Sequence, residues 1–160
     1  MAIQVGEKIP NVTLMTMTDR GPAPVSTEEL FKGKKAVLFG VPGAFSPTCS
    51  DGHLPGYVQR AADLKAKGVD LIACVAVNDV FVMHAWGNSR GVGDDVKMLA
   101  DGNADFARAM GLELDSRGFG MGIRSNRYAA IIEDGVLKGL YRDAPPEVLN
   151  SAADAVLRAL

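Results

Sequence analysis

Cys49 ends the stretch Val41-Pro42-Gly43-Ala44-Phe45-Ser46-Pro47-Thr48-Cys49, and its setting is that of a nucleophile. Ahead of it, Ala36-Val37-Leu38-Phe39-Gly40 is a short apolar run, the pattern of a strand buried on both faces. Pro42 and Gly43 break that strand and turn the chain. Ser46-Pro47 has the form of a helix start, with serine as N-cap and proline at the first helical position. Cys49 then lies in the first helical turn, where free backbone N–H groups and the positive end of the macrodipole favour an anion. Thiols in such places have pKa values of roughly 3.5–7.5, so the chemistry on offer is thiolate attack. The competing assignment for a lone cysteine is an inert core position. The polar, turn-rich flanks favour the reactive one.

Pro42, Ser46 and Cys49 match the Pro-x-x-x-Thr/Ser-x-x-Cys signature of the peroxiredoxins, the thiol-dependent peroxidases. With His53-Leu54-Pro55-Gly56 following, the segment resembles their type II (peroxiredoxin-five-like) subfamily. The likeness runs over roughly residues 3 to 140. It implies reduction of hydrogen peroxide and organic hydroperoxides through a sulfenic acid on Cys49, with no cofactor and no metal. It also implies a homodimer, toward which the glycine-rich 118–122 stretch with Phe119 and Met121 points.

Reducing a peroxide with a thiol is an in-line displacement, in which thiolate attacks one oxygen and an alkoxide or hydroxide leaves. Cys49 supplies the nucleophile. Ser46, one turn earlier, can set its hydroxyl beside the sulfur, and Pro42 shapes and shields the pocket. The N–H groups of Thr48 and Cys49 face the developing charge as an oxyanion hole does. A permanent cation is needed beside them, and arginine suits because it keeps its proton and presents a rigid donor fork. Arg117, Arg124 and Arg127 all fall in the right region, and residue type does not choose among them. The resemblance does. Arg124-Ser125-Asn126-Arg127-Tyr128 is similar to the family segment whose arginine directly precedes an aromatic and the hairpin strand. That implies Arg127 as the catalytic cation and Arg124 as a supporting one. His53, four residues after Cys49, is positioned to face the pocket, for hydrogen bonding and packing or for proton transfer. Thr48, Arg124 and His53 thus form the expected substrate-binding set. Trp86 reads as a wall of the pocket or core, and Asn78-Asp79 as a helix cap.

Subfamily members that resolve their sulfenic acid internally carry a second cysteine in the C-terminal third, and this chain has none between Arg127 and Leu160. Cys74, the other thiol, lies three residues short of a strand end, roughly 10 Å down the strand. A disulfide needs Cα atoms within about 7 Å, so Cys74 reads as core. The expectation is a one-Cys enzyme recycled by an external thiol: glutathione, glutaredoxin or thioredoxin, with glutathione and glutaredoxin favoured by the resemblance. A redox sensor that relays oxidation of Cys49 to a partner would use the same residues. A disulfide reductase is disfavoured, because no Cys-x-x-Cys is present.

At 160 residues the chain reads as one domain, 1–160, long enough to bury a core. Its net charge of −2, without a basic block, disfavours a nucleic-acid surface. No apolar run approaches the ~18 residues of a membrane span. Met1–Glu7 has no basic or apolar leader pattern. Together with two widely spaced cysteines these features lead to the expectation of a cytoplasmic protein.

The elements that must position the site follow from periodicity. A strand is expected over Val12–Met15, extendable to Thr18, then a turn at Asp19–Pro22 and a short helix opened by Ser26. After the 35–41 strand and the signature turn, a helix runs to about Lys67, kinked near Pro55. Val69–Val77 is a second buried strand, followed by a helix to about Ser89. Val96–Ala100 is a third strand, Asp105–Met110 a helix, and 111–126 an irregular loop. Arg127–Glu133, Asp134-Gly135 and Val136–Leu140 form a β-hairpin. A final helix follows Pro145-Pro146 and reaches Leu160. Alternating strands and helices imply an α/β fold, a mixed central sheet covered by helices on both faces. That order resembles the thioredoxin fold.

Overall fold

The apolar run after Lys34 forms strand β3 (Lys35–Gly40), buried along almost its whole length. In the computed structural model, which describes residues 1–144 and 147–160, β3 pairs in parallel with β4 (Leu71–Ala76) and antiparallel with β8 (Arg127–Glu133). Beyond β4 come β5 (Lys97–Ala100), β1 (Thr13–Thr18) and β2 (Gly21–Ser26), and β9 (Val136–Asp143) flanks β8. The seven-stranded order is β2-β1-β5-β4-β3-β8-β9. Parallel neighbours at the centre require helical crossovers between their strands.

Strand alternation divides the core in two. Val37, Phe39, Ile72, Cys74, Ala129 and Ile131 point to one face. There they meet α2 (Leu54–Ala66), α3 (Val80–Ser89) and α5 (Ala153–Ala159) through Leu54, Leu64, Trp86 and Val156. Ala36, Leu38, Ala73, Val75 and Ile132 point to the other, against α1 (Thr27–Phe31) and α4 (Asp105–Met110). The expected α/β architecture, thioredoxin-like with a mixed sheet between helical layers, is the one observed. Gly40 is required by its cross-strand partner: a Cβ there would lie 2.3 Å from the ring of Tyr128. Asp134 (φ 48°) and Gly135 (φ 77°) both occupy the left-handed region, as a two-residue hairpin turn requires.

Four expectations need correction. Asp19–Pro22 is not simply a turn, because the chain doubles back there and pairs as β2 with β1. Pro22 and Pro24 disguise this strand, which as a sheet edge tolerates missing N–H donors. The segment 111–126 is not wholly irregular: β6 (Glu113–Asp115) and β7 (Ile123–Ser125) pair as a small hairpin around a 3-10 turn at Arg117–Phe119. The second hairpin strand continues past Leu140 to Asp143. The last helix is also shorter than expected. Pro145-Pro146 lie outside the described residues, and Val148, Leu149 and Ala152 precede the helix rather than lie within it.

Candidate active site

Cys49 sits on a π-helical turn, Thr48–His53, that runs directly into α2. Its carbonyl accepts from the N–H of Leu54, a bond spanning five residues rather than four. Pro55 accounts for the irregularity expected there, because it has no N–H to offer Asp51 and its ring crowds that carbonyl. Such wide turns are frequent at functional sites. The Cys49 thiol is fully buried despite its polar, turn-rich flanks.

Arg127 reaches this sulfur from the start of β8, which lies at the end of the sheet where β3 gives way to the signature turn. Alternation along β8 puts residues 127, 129 and 131 on the face that carries Phe39, and the β3–β8 register sets Arg127 one step beyond the Gly40–Tyr128 pair. It therefore lies beside the turn that leaves β3. Its Nη2–H donates to Cys49 Sγ at 3.0 Å. Arg127 is itself only 3% exposed, and its Nε–H has no acceptor among the described residues. A buried guanidinium thus sets a fixed positive charge directly against the buried sulfur.

His53 holds the other side of the fork. Arg127 Nη1–H donates to His53 Nδ1 at 2.8 Å, and His53 Nε2 lies 3.1 Å from the carbonyl oxygen of Ser151. Guanidinium cannot accept and a carbonyl cannot donate, so the imidazole is neutral, bare at Nδ1 and protonated at Nε2. Burial, reinforced by the Arg127 charge, pushes its pKa down to about 4. Phe39 and Tyr57 stack at 3.9 Å beside the ring, and the Tyr57 hydroxyl also donates to the Ser151 carbonyl. Both imidazole nitrogens are thus occupied by protein groups.

A match to the Redoxin family model spans residues 4–157. The rice protein Peroxiredoxin-2E-2, chloroplastic, is 50% identical over 99% of this chain and 72% of its own length. The crystal structure of reduced Prx3 from Vibrio vulnificus in complex with hydrogen peroxide superposes with a TM-score of 0.94 at 53% identity, covering 98% of both chains. A Plasmodium falciparum antioxidant protein described as a 1-Cys peroxiredoxin does so at 0.89 and 31% identity, covering 96% of both. The chain belongs to the peroxiredoxins.

The family match extends past residue 140, where the sequence likeness was expected to stop. Within this peroxiredoxin the other expected site residues take less direct places. Ser46 caps no helix N–H. Its hydroxyl donates to the Gly43 carbonyl at 2.7 Å, its own carbonyl accepts from Ser50 N–H, and no hydrogen bond links it to Cys49. That commits its proton and leaves its lone pairs as acceptors. Pro42 and Thr48 are half-buried around the wholly buried sulfur. Arg124 does not touch Cys49. It donates through Nε to the Met121 carbonyl and through Nη1 to that of Val77, and a Cβ on Gly43 would lie 3.4 Å from its Nη1. It supports the pocket loop from behind.

Trp86 is core, its indole N–H donating to Ser50 Oγ at 2.8 Å. Asp79 caps α3 as expected, but Asn78 instead accepts from Ala44 N–H and so braces the signature loop. Cys74 faces the same side as Cys49. Burial pushes its thiol well up, and the proximity of Cys49 adds to the shift. Tyr57, Asp143 and Ser151 escaped the sequence reading. Tyr57 carried a signal, being one helical turn after His53. Asp143 would have been visible as the partner of Arg127 had the hairpin been extended three residues.

Proposed function

We propose that this peroxiredoxin is a thiol peroxidase of the type II, one-Cys kind that reduces hydrogen peroxide and organic hydroperoxides. The observation that carries the proposal is the 3.0 Å contact of Arg127 Nη2–H with the buried Cys49 sulfur. Cys49 thiolate attacks the terminal peroxide oxygen and the O–O bond breaks. The departing alkoxide or hydroxide takes a proton, and the sulfur is left as sulfenic acid. Arg127 stabilises negative charge on the sulfur and then on the leaving oxygen, its Nε–H, without an acceptor among the described residues, being one further donor. Ser46 Oγ, its proton held by Gly43, is oriented to accept from the peroxide O–H. Thr48 and Pro42 bound the entry, and Arg124 steadies it. His53 is not a proton donor to peroxide, because its only N–H is directed at Ser151.

Recycling by an external thiol is supported by the burial of Cys74, which pushes its thiol pKa well up. Glutathione condenses with the sulfenic acid, releasing water and forming a mixed disulfide that a second thiol or glutaredoxin reduces. The P. falciparum relative described as 1-Cys agrees with this division of labour. Phe45, Phe81 and Phe119, all more than half exposed, fit a homodimer contact. Sedimentation is expected to give a dimer at tens of micromolar.

The test is steady-state peroxide consumption with glutathione, glutaredoxin and thioredoxin supplied separately, for wild type and Cys49→Ser. Turnover with a glutathione system and none in Cys49→Ser is the expected result. An active Cys49→Ser would overturn the nucleophile. Stoichiometric oxidation without turnover under every reductant would instead favour a sensor that passes its oxidation to a partner.

A further inference from the structure

The contacts beneath Arg127 do not stop at His53. The Ser151 carbonyl that orients the imidazole belongs to a turn folded around one carboxylate. Asp143 Oδ2 accepts from Leu149 N–H (3.0 Å), Ser151 N–H (2.8 Å) and the Ser151 hydroxyl (2.6 Å), while Oδ1 accepts from Asn150 N–H (2.9 Å). Asn150 further anchors the turn to the Arg142 carbonyl. Asp143 is only 6% exposed and stands directly across from Arg127 in the β8–β9 register. Its four bonds nevertheless go to the turn, and the guanidinium is reached only by the longer route.

We infer that Asp143 is a positioning residue for Cys49, acting through the Ser151 carbonyl, His53 and Arg127. The inference rests on the peroxidase reading and adds a residue to it. Arg127 needs a bare Nδ1 opposite it, and a bare Nδ1 needs the imidazole proton kept on Nε2. Only an acceptor placed where the Ser151 carbonyl lies holds it there, as outer hydrogen bonds hold catalytic and metal-bound histidines. If the turn relaxes, the ring is free to shift its proton to Nδ1. Two N–H groups would then face each other, and the guanidinium would move off the sulfur. The charged and titratable groups facing this series are Arg127 from β8, His53 from the π-helical turn, Tyr57 from α2, Cys74 from β4 and Asp143 from β9. For Asp143 itself, burial opposes ionisation, but the Ser151 hydroxyl and the backbone N–H groups outweigh it and keep the carboxyl below its ordinary range.

The test measures the pH profile of Cys49 alkylation by iodoacetamide, together with the rate of peroxide reduction, in a Cys74→Ser background that leaves one thiol. Asp143→Asn keeps the size but sets an amide NH2 against backbone donors. It should move the alkylation midpoint up by about one pH unit and slow peroxide reduction about tenfold. Ser151→Ala removes one of the four bonds and should act in the same direction, about threefold. In His53→Asn the amide oxygen can still accept from Arg127, but the link to Ser151 is cut. Adding Asp143→Asn to that variant should change either readout by less than about twofold.

A merely structural Asp143 would predict independent, multiplying effects, and that result would overturn the inference. So would a folded Asp143→Asn within about twofold of wild type on both measurements. Should Asp143→Asn fail to fold, Ser151→Ala alone and in His53→Asn decides by the same criteria. An active Cys49→Ser would remove the peroxidase reading, whereas alkylation insensitive to Asp143 and Ser151 would remove this inference alone.

Discussion

Lowering the pH should unfold this protein partly through His53. In the fold the imidazole is buried, faces Arg127, and titrates at about 4, against 6.5 when free. The folded pKa lies below the unfolded one, so the unfolded chain takes up this proton first. Stability from the neutral ring is complete above about 6.5 and is lost as pH falls toward about 4. At about 1.36 kcal/mol per pH unit, the gap amounts to about 3 kcal/mol once both states are protonated. Between pH 7 and pH 5 the loss is about 2 kcal/mol, a large share of an ordinary domain's stability. Carboxylates begin to protonate in the same range, so the contribution is isolated by comparison with His53→Asn. Urea unfolding at pH 7, 6 and 5 should show wild type losing about 2 kcal/mol more than His53→Asn across that interval. An imidazole NMR titration in His84→Asn, which leaves a single histidine, should give a midpoint near 4. A midpoint near 6.5, or parallel loss of stability in both proteins, would refute the assigned tautomer and its burial.

Arg127→Lys should cut peroxide reduction roughly a hundredfold, because one ammonium cannot span His53 Nδ1 and Cys49 Sγ as the guanidinium does; stopped-flow rates check this, and Arg124→Lys should cost far less. Cys74→Ser should keep turnover close to wild type, and mass spectrometry after one equivalent of peroxide should show Cys49 sulfenic acid or its glutathione adduct rather than a Cys49–Cys74 disulfide. Gly40→Ala should lose roughly 1–3 kcal/mol in urea unfolding through overpacking, because the new methyl meets the buried Tyr128 ring; Tyr128→Leu in the same chain should recover part of it.

The local geometry around Cys49 was readable from the chain alone. A buried apolar run, a Pro-Gly break and a helix start at Pro47 act within a dozen residues through backbone sterics, whereas the Ser46 hydroxyl, expected as the cap, turns back to Gly43 instead. Pro55 likewise announced a disturbed first turn, though not that the disturbance would be a five-residue spacing. Strand β2 was hidden because its prolines speak against a strand everywhere except at an edge, and edge position is a property of the finished sheet.

Residue type also left three arginines open. Family likeness chose Arg127, and the β3–β8 register explains the choice by carrying it to a sulfur 78 positions away. The positioning groups behind it were out of reach of any sequence pattern. The Ser151 acceptor is a backbone carbonyl, which every residue possesses. Its direction is set by a carboxylate eight residues back, and its partner His53 lies 98 positions away. Sequence determines which groups a chain carries and which backbone turns are sterically allowed. Tertiary packing decides which lone pairs and protons meet, because hydrogen bonding is short-ranged and directional and long-range register alone brings such groups together.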